Sequence, residues 1–264
     1  MTRPIVVALL AFLLAVQAVP ARANSEIVHF PVTSFMGETI MLRGMLMRPE
    51  GDGPFPAMVL LHGCSGMVYD SPWVENHLLP WGYVLLRVDS FGPRGIVSVC
   101  EGIDWFKASP TVRARDAHAG KDFLANLPYV DDDRIAVMGW SHGGMTVLAA
   151  VSNWARNEPL RPDPFKAAIA FYPRCELKLP RVDAPLLVLI GDADDWTPVA
   201  YCRQMELTGE APHEYRLIVY PGATHAFDWE ESTGEFLGHR MIYDPVATED
   251  AYERVRAFLE RYLR

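Results

Sequence analysis

The chain has 264 residues, 50% of them hydrophobic and 22% charged, with four cysteines and a formal net charge of −9 at neutral pH. An acidic balance with no basic run argues against a nucleic-acid partner and against attraction to anionic membrane surfaces. The length suits a leader plus one α/β domain with a full core, and no repeat or low-complexity linker interrupts it.

In chain order, Arg3, the apolar run Ile5 to Val16 and the site Ala21-Arg22-Ala23 read as a secretory signal peptide over residues 1–23. The apolar run is short for a membrane span, although an uncleaved anchor is the other reading. No cysteine stands near the cleavage point, which argues against a lipoprotein. The remaining domain, residues 24–264, is expected to be periplasmic or secreted, without stable membrane insertion. Without Arg3 and Arg22 it carries 22 basic against 33 acidic residues, a net −11.

Glu26 to Pro49 reads as two antiparallel strands joined near Gly37. Phe55–Leu61 is the first core strand and runs into the loop His62-Gly63-Cys64-Ser65-Gly66. A short helix follows over Pro72–Leu79, then a strand over Tyr83–Val88. Gly92 to Ala108 is a loop rich in glycine and aromatic residues, a candidate substrate wall. Thr111–Leu127 is helical, with Val112, Phe123, Leu124 and Leu127 as its apolar positions and Pro128 as its stop. Ile135–Met138 is a strand that enters Gly139-Trp140-Ser141-His142-Gly143. The helix after it turns Val147, Leu148, Val151 and Trp154 towards the sheet. Ala184–Gly191 reads as a buried parallel strand, and Ala167–Tyr172 and Tyr215–Tyr220 as further strands. The last helix carries Val255, Phe258, Leu259 and Tyr262, with Thr248 as the expected N-cap. Strands alternating with helices mean a mainly parallel sheet covered on both faces.

Strand, Gly-x-Ser-x-Gly, helix is the context a nucleophile elbow needs, so Ser141 is the candidate nucleophile. A serine hydroxyl needs a base, and the base needs an orienting acid. Candidate acids cluster at the carboxyl end of the Ala184–Gly191 strand, as Asp192, Asp194 and Asp195. Asp194 is preferred because it lies past the turn, with Asp192 serving the turn and Asp195 capping the next helix. Glu176, after the Ala167–Tyr172 strand, is the minor alternative. His225, on the loop after the last strand, is the candidate base. The backbone N–H groups of Cys64 and His142 are the expected oxyanion donors. Trp140, His142, Phe91, Trp105, Trp196 and Phe227 are candidate pocket residues. His29, His77, His118, His213 and His239 fall into no metal-ligand spacing, so neither metal nor cofactor is expected.

Together these segments resemble the dienelactone hydrolase family of the α/β-hydrolase superfamily. The resemblance is carried by His62-Gly63-Cys64, Asp89-Ser90-Phe91-Gly92-Pro93-Arg94-Gly95, Ala114-Arg115-Asp116-Ala117, Arg134 to Gly144, Gly191-Asp192-Ala193-Asp194 and Gly222 to Phe227. It implies an α/β-hydrolase fold, with nucleophile, acid and base at Ser141, Asp194 and His225. The founding members carry cysteine at the position of Ser141, so serine here points to a general esterase. Those enzymes also hold the substrate carboxylate with arginines, and Arg94 is the candidate for that task.

An even cysteine count in an exported chain suggests disulfides. Of three connectivities, Cys64–Cys100 with Cys175–Cys202 is preferred, because each pair lies on loops at the ends of strands that neighbour each other in this fold. Buried free thiols are the other reading. The expected activity is cleavage of a small ester or lactone. A prolyl-oligopeptidase-like peptidase and a non-catalytic binding protein on the same fold are the rivals.

Overall fold

The computed structural model describes residues 24–34, 37–68, 72–102, 104–152, 163–176, 178–180, 182–208 and 214–264. The signal-peptide reading of residues 1–23 and the sheet-facing role of Trp154 lie outside the described residues.

The chain opens with a hairpin of β1 (Asn24–Thr33) and β2 (Thr39–Arg48), whose register runs from Thr33 opposite Thr39 to Asn24 opposite Arg48. It continues through β3 (Phe55–Leu61), α1 (Pro72–His77), β4 (Val84–Asp89), α2 (Pro110–Ala125), β5 (Val130–Trp140) and α3 (His142–Ala150). Next come β6 (Ala168–Phe171), β7 (Lys178–Pro180), β8 (Leu186–Gly191), α4 (Val199–Arg203), β9 (Glu206–Thr208) and β10 (Tyr215–Tyr220). A second hairpin, β11 (Thr233–Phe236) and β12 (His239–Ile242), precedes the closing helix α5 (Pro245–Tyr262).

Eight strands form one sheet in the order β1-β2-β4-β3-β5-β6-β8-β10. The β1–β2 and β2–β4 pairs are antiparallel, and every later neighbour is parallel. Parallel strands need crossover helices, so both faces are covered and the strands read as continuous apolar runs. Every residue of β4, β6 and β8 is buried. Val59, Leu86 and Val88 meet α2, where a Cβ on Gly120 would touch them at 3.2–3.5 Å. Leu60, on the opposite face, lines a cavity with Val74 of α1.

Two helix caps differ from the sequence reading. The N-cap of α5 is Asp244, not Thr248: its carboxylate accepts from the N–H groups of Val246 (3.1 Å) and Ala247 (3.0 Å), with Pro245 opening the helix. Thr248 is buried in the first turn, its hydroxyl held by the carbonyl of Asp244 at 2.7 Å. Nor does Asp195 cap α4. It reaches across to β12, 3.3 Å from His239 Nδ1.

The described residues hold two disulfides, Cys64–Cys100 and Cys175–Cys202, and no free cysteine. This is the preferred pairing. Cross-links of this kind suit an oxidising, non-cytoplasmic compartment. No helix among the described residues is long and apolar enough to cross a membrane.

Candidate active site

The sharp turn between β5 and α3 holds Ser141 at φ 53° and ψ −115°. A non-glycine residue there costs about 1–3 kcal/mol and needs a rigid surround. The surround is backbone on backbone. A Cβ on Gly139 would lie 2.4 Å from the Gly143 carbonyl oxygen, and one on Gly143 would lie 2.0 Å from that of Leu61. The Ser141 N–H donates to the Phe171 carbonyl at the end of β6, at 2.9 Å.

Ser141, His225 and Asp194 come together although they are far apart in the chain. Ser141 Oγ lies 2.9 Å from His225 Nε2, and His225 Nδ1 lies 2.8 Å from Asp194 Oδ2. Because a carboxylate accepts, Nδ1 carries the proton and Nε2 accepts from the serine hydroxyl. Asp194 is held by more than histidine. Its Oδ1 accepts from the N–H groups of Trp196 (2.9 Å) and Thr197 (2.8 Å), and Thr197 Oγ1 donates to Oδ2 at 2.8 Å. Asp192 instead serves the turn, accepting from the Gly222 N–H at 2.7 Å. The Asp194 and His225 side chains are 0% and 3% exposed. The His225 loop can pass close to β8 because residue 191 is glycine; a Cβ there would meet the Ala223 carbonyl oxygen at 1.9 Å. The carboxylate beside His225 is that of Asp194 and not that of Glu176.

A cavity of about 140 Å³ opens beside Ser141 and His225. Gly63 and Cys64 form part of its wall, Trp140, Trp196, Trp229, Phe236 and Met241 give it large apolar surfaces, and Arg87 and Asp228 also reach its lining. Cys64 is fixed from two sides: its carbonyl accepts from the Val99 N–H at 2.9 Å, and its sulfur is bonded to Cys100. The β11–β12 hairpin closes another side. His239 stacks on Trp196 at 4.6 Å, and Thr224 Oγ1 accepts from the Ile242 N–H at 2.8 Å.

Four expected pocket residues lie elsewhere, and so does Arg94. The Arg94 guanidinium grips Asp116 with both arms, at 2.7 and 2.9 Å, and the Ser90 carbonyl at 2.7 Å. Its side chain is 8% exposed and does not line the cavity, so it is a buried structural arginine and not a carboxylate anchor. Phe227 is fully buried between Tyr172 and Tyr220 in the core. The rings of Phe91 and Trp105 each pack on that of His142 behind the site, with Trp105 4.7 Å from His142.

Two buried charges escaped the sequence reading. Asp228, three residues past His225, accepts from Tyr172 Oη (2.7 Å), Tyr252 Oη (2.7 Å) and Trp140 Nε1 (3.0 Å). It fixes the indole next to Ser141 and the tyrosine whose ring lies 4.8 Å from His225. Removing a shared acceptor strands buried donors, so Asp228→Ala is expected to cost about 3–5 kcal/mol in urea denaturation. A loss below 1 kcal/mol would contradict this role. Arg113 on α2 is the second. Its Nη1 donates to His142 Nδ1 at 2.6 Å and its Nη2 to the His62 carbonyl at 2.8 Å.

Burial, and after it the Arg113 charge, holds His62 and His142 well below the usual imidazole range. Both rings stay neutral where those of the unfolded chain take up protons. Their contribution to stability is complete above about pH 6.5 and is lost on acidification, at up to about 1.4 kcal/mol per pH unit for each ring. Burial raises Asp116 and Asp228, which act in the opposite sense as the pH falls into the carboxylate range. Denaturation at steps from pH 7 to 5 should therefore show falling stability, with a shallower slope in His142→Asn. An equal slope in that variant would count against the assignment.

The dienelactone hydrolase family model matches residues 42–263. The chain belongs to the dienelactone hydrolase family. This member is 26% identical over 276 residues to a Methylorubrum extorquens protein named "Putative carboxymethylenebutenolidase", covering 95% of this chain and 89% of the relative. It is 28% identical over 183 residues to the bis(hydroxyethyl) terephthalate hydrolase of Streptomyces coelicolor, covering 67% and 51% of the two chains. It spans only 34% of the length of another relative, the uncharacterized peptidase YuxL of Bacillus subtilis, at 24% identity over 70% of this chain. Among solved structures, a dienelactone hydrolase-like promiscuous phosphotriesterase from metagenomic libraries superposes with a TM-score of 0.69. That match has 17% identity and covers 91% of this chain and 99% of the other, which shows the α/β-hydrolase fold.

Proposed function

We propose that this chain is an exported serine hydrolase that cleaves a small carboxylic ester or lactone through an acyl-enzyme. The observation that carries the reading is the unbroken hydrogen-bond chain Ser141–His225–Asp194 at 2.9 and 2.8 Å, opening on an apolar cavity. His225 takes the Ser141 proton as the oxygen attacks the carbonyl. Asp194 holds Nδ1–H and stabilises the positive ring. The N–H groups of Cys64 and His142 receive the oxyanion. His225 then activates water, which releases the acid. Every step uses groups of the chain itself.

The cavity indicates the size and polarity of the substrate. A volume of about 140 Å³ is close to that of cavities that hold a benzene ring. The apolar and tryptophan walls favour an ester with a short-chain or single-ring group, and Arg87 is the cation in the cavity lining. The leader at residues 1–23 and the two disulfides support export.

The test is labelling of Ser141 by a fluorophosphonate, with p-nitrophenyl esters from acetate to octanoate compared against p-nitroanilides. Labelling at Ser141 with turnover of the short esters is the expected result. Turnover confined to anilides would make the protein a peptidase. No labelling and no turnover would make it a binding protein.

A further inference from the structure

We propose that Arg113 is a positioning residue of the oxyanion site, which fastens together the two backbone segments that carry the donors and places a buried positive charge behind them. This rests on the reading of Cys64 and His142 as those donors. His142 directly follows Ser141, and His62 lies two residues before Cys64. The two segments belong to different strand ends, β5 and β3, and Arg113 of α2 bonds to both of them. A guanidinium only donates, so His142 Nδ1 accepts and the ring proton sits on Nε2. The ring is thereby fixed, and with it the first residue of α3.

The choice of residue carries the argument further. Arg113 is 0% exposed, with the Phe91 ring 5.1 Å from its guanidinium carbon. A buried cation is expensive, and an apolar side chain of similar volume usually packs as well or better. Structural arginines offset that cost with a carboxylate. Here the nearby carboxylate, Asp116, is gripped on both oxygens by Arg94. The Arg113 guanidinium instead bonds to a neutral imidazole and a carbonyl. Burial lowers its pKa to about 9 while Asp116 opposes the fall, so it remains a cation at neutral pH. Negative charge appears in this neighbourhood when the carbonyl oxygen of the substrate becomes an oxyanion. A positive charge fixed beforehand favours that state over the neutral ester.

The role predicts an effect on turnover and not on ground-state binding. Arg113→Met, Arg113→Lys and His142→Ala would be compared with the unmodified protein for kcat and KM on p-nitrophenyl acetate, for the rate of phosphonate labelling, and for urea stability. Arg113→Met is expected to lower kcat and the labelling rate about 10–100-fold, with KM within about threefold. Arg113→Lys keeps the charge but not the two-armed grip, and should recover part of the loss. His142→Ala keeps the backbone donor and the charge while cutting one arm, and should fall between the two. If Arg113→Met does not fold, the Lys and Ala variants carry the same comparison. Unchanged kcat in folded variants, or a loss confined to KM, would overturn the assignment while leaving the serine hydrolase in place. Failure of the phosphonate to label Ser141 in the unmodified protein would overturn the underlying reading, and this one with it.

Discussion

Ser141→Ala is expected to lower kcat/KM on short esters by about 10⁴–10⁶-fold, with urea stability unchanged or slightly raised. In the proposed reaction the serine oxygen bonds to the acyl carbon, so no neighbouring group would replace it. Residual turnover above water would come from polarisation of the carbonyl and from positioning. Stability is spared because Oγ is bonded to one partner, His225, at the cavity wall. Loss of labelling together with loss of turnover is the expected pair of results. Turnover within tenfold of the unmodified protein would remove Ser141 from the mechanism.

Gly143→Ala is expected to destabilise the fold by about 4 kcal/mol or more, above the usual overpacking penalty. The added Cβ would sit 2.0 Å from the Leu61 carbonyl oxygen and 2.7 Å from that of His62. Both obstacles are backbone at the end of β3, so α3 itself must move away. Gly63→Ala is the control, since its nearest neighbour is the Trp140 carbonyl oxygen at 3.7 Å. The pair separates a steric requirement from a general intolerance of change in the site. A Gly143→Ala protein as stable as Gly63→Ala would contradict the geometry.

The parts of the site that were legible in the sequence are those fixed by local chain chemistry. Gly139 and Gly143 around Ser141 are demanded by the turn. Asp194 and His225 follow apolar runs that read as strands, so their place at strand ends could be read directly. What could not be read is the direction of side chains held by distant partners. Arg94 and Phe227 stand next to the right segments, but Asp116 draws one inward and the core takes the other. Helix α2 is the clearest case. Its apolar positions suggested a face through Val112 and Phe123, yet the buried positions include Arg113, Asp116 and Lys121 beside Ala117, Gly120 and Leu124. Arg113 and Asp116 are three apart, and with Ala117 and Gly120 they mark one helical face, which was the available signal. Hydrophobic periodicity cannot report a face whose buried members are charged and paired across the fold, Lys121 with Asp163 and Asp116 with Arg94.

The two cystines bear on how the protein can be made. Each fastens a loop that also carries the site: Cys64 sits on the loop after β3, and Cys202 lies five residues past Thr197, which holds Asp194. Loops of 36 and 27 residues are worth about 3.5–4 kcal/mol apiece by chain-entropy reckoning. A chain produced in a reducing cytosol is therefore expected to be a latent preparation, with the loops of the candidate site unfastened. Specific activity should then follow the number of thiols lost on oxidation and not the mass of soluble protein. Counting free thiols alongside ester turnover during air oxidation measures this directly, and a fully reduced sample with full activity would break the link.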